Sequence, residues 1–277
     1  MKKLGMITNS ERDKDYAFTR QLVTWLIERG VSPAFPGYYA DVREIDLLKT
    51  DILSDLYALI VLGGDGTILQ ASRLAAPHGV PILGINTGTI GYITDAESSE
   101  ATTALERLLS SNFDLEERIM LEAYVEASPA QPILALNEVY AARILPKQTI
   151  EIEVRVNGVF IADYRCDGVM VATPTGSTAY NLSAGGPLLK PDLGALVITP
   201  ICPHSLSHRP IVISGDDFVS LKMINSDESG GVLTADGATK ATLNHTDTVH
   251  IQRSKYVTKI VKTSALSFYD RLRIKIK

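Results

Sequence analysis

The stretch VLGGDGTIL (61–69) sets one carboxylate, Asp65, among Gly63, Gly64 and Gly66, between an apolar run and a helical pattern that opens at Gly66. Glycines at such a place leave main-chain N–H groups open to a ligand, and the helix N-terminus adds partial positive charge. The combination suits a phosphate with one carboxylate at its edge. A plainer alternative is a tight strand-to-helix turn in which Asp65 is the N-cap. A second loop, GINTGTIGY (84–92), has the same character at the end of the next apolar run. Neither GxGxxG nor GxxxxGK[ST] is present, so the usual dinucleotide and P-loop solutions are excluded.

Further along, DGVMVATPTGSTAYNLSAGGP (167–187) gathers Thr173, Thr175, Ser177, Thr178, Tyr180 and Ser183 within eleven residues. These hydroxyls can serve a polar ligand or satisfy their own backbone. LNEV (136–139) sets Asn137 beside Glu138 in a strand pattern, where neighbours point to opposite faces unless the strand bulges. An amide beside a carboxylate suits an adenine edge and a ribose diol. His204 and His208 are four apart, as helical zinc ligands can be, but Pro203 and Pro210 flank them and no third ligand is evident. No metal site is expected there. Cys166 and Cys202 lack CxxC spacing and read as packing thiols.

Positioning these residues requires two kinds of element. Over the first 115 or so residues, strands (KLGMIT, YALIVL, VPILGI) alternate with helices at 15–29, 66–76 and 98–112, which implies a parallel sheet covered by helices. Gly30 is placed to end the first helix. Beyond about 120 the pattern is of short strands, from LEAYVEA and ILALNEVYAARI to TVHIQRS and VTKIVK, with Asn157-Gly158 as a two-residue hairpin turn. The expected fold is an α/β N-terminal domain over 1–118, Rossmann-like without its glycine fingerprint. A sandwich-like all-β domain is expected over 119–261, making the whole α+β.

The 277 residues carry a net charge of −5 and no extended basic stripe, which argues against a nucleic-acid partner. No apolar run approaches a membrane span, and MKKLGMITNSERD is too short in apolar residues for a signal peptide. Two distant cysteines fit a reducing, cytoplasmic setting.

Taken in order, GGDGT, NTGTIGY, LNEV, DGVMVATPTGSTAYNLSAGGP, TPICPHSLSHRP and LTADG resemble the NAD kinases along nearly the whole chain. The resemblance implies phosphoryl transfer from ATP to the 2′-hydroxyl of the adenosine ribose of NAD. It implies a homodimer or homotetramer, and a tail (about 262–277) that returns to the first domain. It assigns Asp65 as the catalytic aspartate and Gly63, Gly64, Gly66 and Thr67 as the phosphate loop. The nucleotide is expected to meet Asp65, Gly66 and Tyr92, the pair Asn137 and Glu138, and the segment with Thr175, Thr178, Ala179, Tyr180 and Ser183. Asp167 and Cys202 match positions near the nicotinamide, and Asp236 sits where the family reads Asp-Gly-Gln, with Ala238 in place of the glutamine. Mg²⁺, or another divalent cation, is expected to arrive on ATP rather than in a protein cage. Polyphosphate is a further candidate donor. Two other readings stand: a lipid kinase sharing the GGDG loop, with an apolar acceptor cleft, and a non-catalytic NAD sensor.

Overall fold

The computed structural model describes residues 2–31, 33–34, 39–47, 50–89, 91–145, 149–205, 207–225, 230–245 and 247–276; Ile90 of the second glycine loop and Leu206 between the two histidines lie outside them. The chain forms two compact units, Met1–Arg118 with Tyr256–Lys277, and Ile119–Lys255. Among the described residues no helix is long and apolar enough to cross a membrane.

In the first unit β1 (Leu4–Thr8) leads through a 3-10 turn to α1 (Ala17–Ile27), followed by β2 (Ala40–Asp41), β3 (Ala58–Gly63), α2 (Asp65–Ala75), β4 (Ile82–Asn86), β5 (Ala96–Glu97) and α3 (Ala101–Leu109). The strands pair in parallel in the order β2, β1, β3, β4, β5. Their residues are buried on both faces, as a helix-covered parallel sheet requires. α3 turns Ala101, Ala104, Leu105 and Leu108 inward, an i, i+3, i+4, i+7 stripe. Gly30 does end the first helical segment, at φ +75°. Because the chain leaves β1 toward β2 on one side and β3 lies on the other, the order reverses between β1 and β3. That is the crevice where open α/β sheets bind ligands. Register places Thr8 beside Leu62 and Gly63 beside Asn86, so the loops after β1, β3 and β4 leave side by side.

The second unit contains the end of β6 (Asp114–Val125), then β7 (Ser128–Ala135), β8 (Glu138–Arg143), β9 (Ile150–Val156), β10 (Val159–Cys166), β11 (Gly168–Ala172), α4 (Tyr180–Ser183), β12 (Ala195–Ile201), β13 (Ile211–Ser214), β14 (Val219–Asn225), β15 (Gly231–Ala235), β16 (Ala238–Leu243) and the start of β17 (Thr248–Lys262). One sheet runs β13, β12, β11, β8, β15, β16; β10, β9, β14 and β17 line the other. Both sheets send alternate side chains (Ile150, Ile152 and Val154 from one, Val139, Ala141 and Val169 from the other) into a single core, a sandwich as expected. Asn157 and Gly158 turn the β9–β10 hairpin with φ of +51° and +79°, as a type I′ turn demands.

Several elements differ from the sequence reading. TVHIQRS and VTKIVK are one strand, β17, since nothing in Lys255-Tyr256 breaks it. ILALNEVYAARI is two strands, parted by a bend at Leu136-Asn137. Strand β16 and the first residues of β6 carry too many charged and hydroxyl side chains to register as apolar runs. In the first unit Ile260 of β17 pairs with Ile82, and the chain ends in α5 (Phe268–Lys275), whose N-terminus is closed by a capping box between Ser267 and Asp270.

Candidate active site

Asp65 is the first residue of α2, directly after β3. It does not cap its own helix: Gly64 holds that position without a side-chain bond. The carboxylate instead accepts three main-chain N–H groups where the second glycine loop ends, at Tyr92, Ile93 and Thr94. Oδ2 takes Tyr92 N–H (2.8 Å), and Oδ1 takes Ile93 (3.1 Å) and Thr94 (3.4 Å). A carboxylate has about four acceptor positions, so Oδ2 keeps a lone pair. Three donors fix the plane of the acid while leaving it able to accept a fourth. The packing is close enough that a Cβ on Gly91 would overlap Asp65 Oδ1, so only glycine permits this approach. Gly66 is exposed and Thr67 buried, its hydroxyl accepting from Asn9 Nδ2 at 3.3 Å. Tyr92 is half-buried; burial and the charge of Asp65 raise its phenol pKa. Asp65, Gly63, Gly64, Gly66, Thr67 and Tyr92 are therefore brought together at the switch point of the sheet.

A cation that the sequence reading passed over lies there too. Arg12 is in the loop after β1, which is tied down by Asn9 (Oδ1 accepting Glu11 N–H, 3.1 Å) and by Asp13, whose carboxylate accepts Phe18 and Thr19 N–H at 2.9 and 2.8 Å. Its guanidinium lies against both glycine loops: a Cβ on Gly64 would come 3.1 Å from Nη1, and one on Gly88 would collide with it. Its only signal in the sequence was a basic residue in the first strand-to-helix loop.

In the second unit Asn137 and Glu138 sit at the break between β7 and β8, so the strand alternation expected to part them does not apply. Both are buried, and Asn137 Oδ1 and Glu138 Oε2 have no hydrogen-bond partner among the described residues. Buried acceptors without donors are rare outside functional sites. Burial, with the charge of Asp236 adding to it, pushes the Glu138 carboxyl up to about 8. Asp236, at φ +47° in the β15–β16 turn, aims its carboxylate at the same bend. Its two oxygens accept N–H from Leu136 (2.9 Å), Asn137 (2.8 Å) and Glu138 (3.4 Å). Asp236 thus sets the backbone of the pair, and Ala238 begins β16 opposite Ala235.

The hydroxyl-rich segment divides its labour. Ser177 Oγ donates to Pro174 O (2.6 Å) and Thr178 Oγ1 to Thr175 O (3.1 Å) within the segment, while Thr173 Oγ1 donates to Leu136 O (2.6 Å) at the bend before β8. A Cβ on Gly176 would overlap Asn137 O, which locks the segment onto the Asn137–Glu138 bend. Thr175 is buried, Ala179 half-buried, and Tyr180 and Ser183 are exposed. Tyr180 stacks edge-on with Tyr140 (5.4 Å), and its phenol pKa is raised by burial and by the nearby Tyr140, Cys202, Asp167 and Glu138. Asp167 is paired with Arg143 at 2.8 Å, and Cys202 is exposed at φ +46°. Cys166 is buried in the core, its thiol pushed up to about 12 by desolvation. Among the described residues no group of three or more carboxylate, imidazole or thiol ligands is disposed to hold a metal.

The comparisons bear on both units. Residues 4–113 match the model of the ATP-NAD kinase N-terminal domain, and residues 136–263 that of the ATP-NAD kinase C-terminal domain. The chain is 39% identical over 285 residues to the NAD kinase of Caldanaerobacter subterraneus subsp. tengcongensis, covering 100% of this chain and 99% of that protein. To the NAD kinase of Geotalea daltonii it is 36% identical over 285 residues, with the same coverage. Two solved structures share the fold. Yeast NADH kinase complexed with NADH has a TM-score of 0.85 at 22% identity, over 100% of this chain and 87% of that one. An NAD kinase from Archaeoglobus fulgidus in complex with ATP has 0.76 at 24%, over 99% and 97%.

Proposed function

The chain belongs to the NAD kinase family, and from that premise we propose that it transfers the γ-phosphoryl of ATP to the 2′-hydroxyl of the adenosine ribose of NAD, giving NADP and ADP. The observation that carries the reading is Asp65: an acid held by three amides at a glycine-loop helix start, with one acceptor position left over.

Asp65 orients the 2′-hydroxyl and accepts its proton late. The 2′-oxygen bonds to the γ-phosphorus as the bond to the β–γ bridging oxygen breaks, and ADP departs. Such a loose transition state asks for alignment and charge neutralisation more than for a strong base. The amides that open α2 at Gly64 and Gly66 and the guanidinium of Arg12 face the phosphates. The divalent ion, Mg²⁺ in this proposal, comes as part of the Mg–ATP substrate and neutralises charge on its phosphates. Asn137 Oδ1 accepts from the adenine amine and Glu138 from a ribose hydroxyl, donors that their buried oxygens lack in the protein alone. Tyr92, Thr175, Ala179, Tyr180 and Ser183 border the nucleotide, with Asp167 and Cys202 toward its nicotinamide end. The proposal includes a cytoplasmic homodimer or homotetramer, to be measured by light scattering.

Incubation with NAD and Mg–ATP, read by an NADP-specific dehydrogenase, tests the reaction. NADP is the expected product. Phosphorylation of diacylglycerol without NADP would favour the lipid-kinase reading, and NAD binding without turnover the sensor reading. Polyphosphate in place of ATP tests the donor.

A further inference from the structure

The loop that grips Asp65 is itself gripped from behind. Residues 91–95 use their N–H groups on the acid and their carbonyls on α5: Arg271 Nη1 donates to Gly91 O (3.2 Å) and Nη2 to Asp95 O (3.1 Å). Arg271 is 3% exposed. The same helix sets Lys275 Nζ over the ring of Tyr92, 4.7 Å from its centroid. Asp95 anchors the strand end that leads into α5. Its carboxylate pairs with Lys262 Nζ at 2.5 Å and accepts N–H from Thr263 (2.6 Å) and Ser264 (3.1 Å) and the hydroxyls of both. Burial works to raise the Asp95 carboxyl, but the Lys262 charge and the Thr263 bonds outweigh it and hold it below the usual range.

We propose that α5 is a positioning element for the catalytic aspartate, with Arg271 fixing the 91–95 loop so that the amides of Tyr92, Ile93 and Thr94 hold the Asp65 carboxylate toward the reacting hydroxyl. The inference rests on Asp65 being the proton acceptor. Without the guanidinium, two buried carbonyls lose their donor, and the loop, still anchored at Asp95, loses its hold at the Gly91 end. A displacement of about 1 Å at a reacting group can cost about 10²-fold in rate. Of the proposed nucleotide contacts only that of Tyr92 moves with this loop, and those of the other segments are untouched, so the loss falls chiefly on kcat.

The test is a cycle in the full-length chain: Arg271→Ala, Asp65→Asn and the double variant, with kcat and KM measured for NAD and ATP. Arg271→Ala alone lowers kcat by about 10²-fold with both KM values within about threefold, and added guanidinium restores part of the loss. In the Asp65→Asn background the same change costs almost nothing further, because a residue acting through Asp65 has nothing left to position. An equal loss in both backgrounds, or full kcat in Arg271→Ala, overturns the inference. Should the alanine variant not fold, Arg271→Lys is read instead: its amine serves one carbonyl, kcat falls at unchanged KM, and wild-type kcat overturns the inference. An active Asp65→Asn enzyme would instead strike at the proposed role of Asp65 itself.

Discussion

Replacing Glu138 by glutamine separates the cost of a buried acid from its use. In the free protein the Glu138 carboxyl is pushed from its ordinary 4.5 to about 8 by burial and by the charge of Asp236. The folded state therefore holds a proton that the unfolded state has released anywhere between those values. Stability is then fully present below pH 4.5, falls as pH rises, and levels off above 8. Over the interval, 8 − 4.5 = 3.5, the loss is about 5 kcal/mol at about 1.4 kcal/mol per pH unit. A ribose hydroxyl donating to Glu138 favours the charged form, so NAD binding expels the proton and NAD affinity climbs with pH up to about 8. Calorimetry of NAD binding near neutral pH, in buffers of differing ionisation enthalpy, should show close to one proton released by the wild type and none by Glu138→Gln. Thermal melts without ligand should show the variant gaining on the wild type as pH is raised from 5 to 9, with NAD affinity lower and flat in pH. If wild type and variant keep a constant difference in melting temperature over that range, or binding releases no proton, the assignment of Glu138 as a desolvated acceptor is refuted.

Arg12→Gln removes the cation against the two glycine loops; KM for ATP should rise about tenfold, the equivalent of one charge-assisted contact, with KM for NAD little changed in steady-state assays. Gly176→Ala drives a methyl into the carbonyl of Asn137 and should destabilise the protein by about 1–3 kcal/mol in urea titration, weakening NAD binding because the bend carrying Glu138 must move.

Much of the scaffold was legible because its signals are local. The glycine loop does lie on a strand–turn–helix, the Asn157-Gly158 hairpin has the backbone its residues demand, and the two halves differ in hydrophobic period. What the sequence did not disclose depends on contacts far apart in the chain. The partners of Asp65 are 27 to 29 residues away, and those of Arg271 lie 176 and 180 away. No spacing rule reaches that far. The capping alternative for Asp65 was reasonable locally and is absent, because the amides at 92–94 compete successfully for the acid. In the hydroxyl-rich segment Thr173, Ser177 and Thr178 each donate to a main-chain carbonyl, Thr173 to the distant Leu136, and each hydroxyl keeps its acceptor lone pairs. Strand β16, with Thr239, Lys240 and Thr242 on an open edge, carries no apolar run to betray it.

The most direct measurement is turnover of Asp65→Asn alongside its NAD dissociation constant, both on folded protein. An amide can still accept one or two of the loop N–H groups but is a far poorer proton acceptor. The account predicts a fall in kcat of about 10²–10⁴-fold with NAD affinity within a few fold. Turnover near that of the wild type would contradict it.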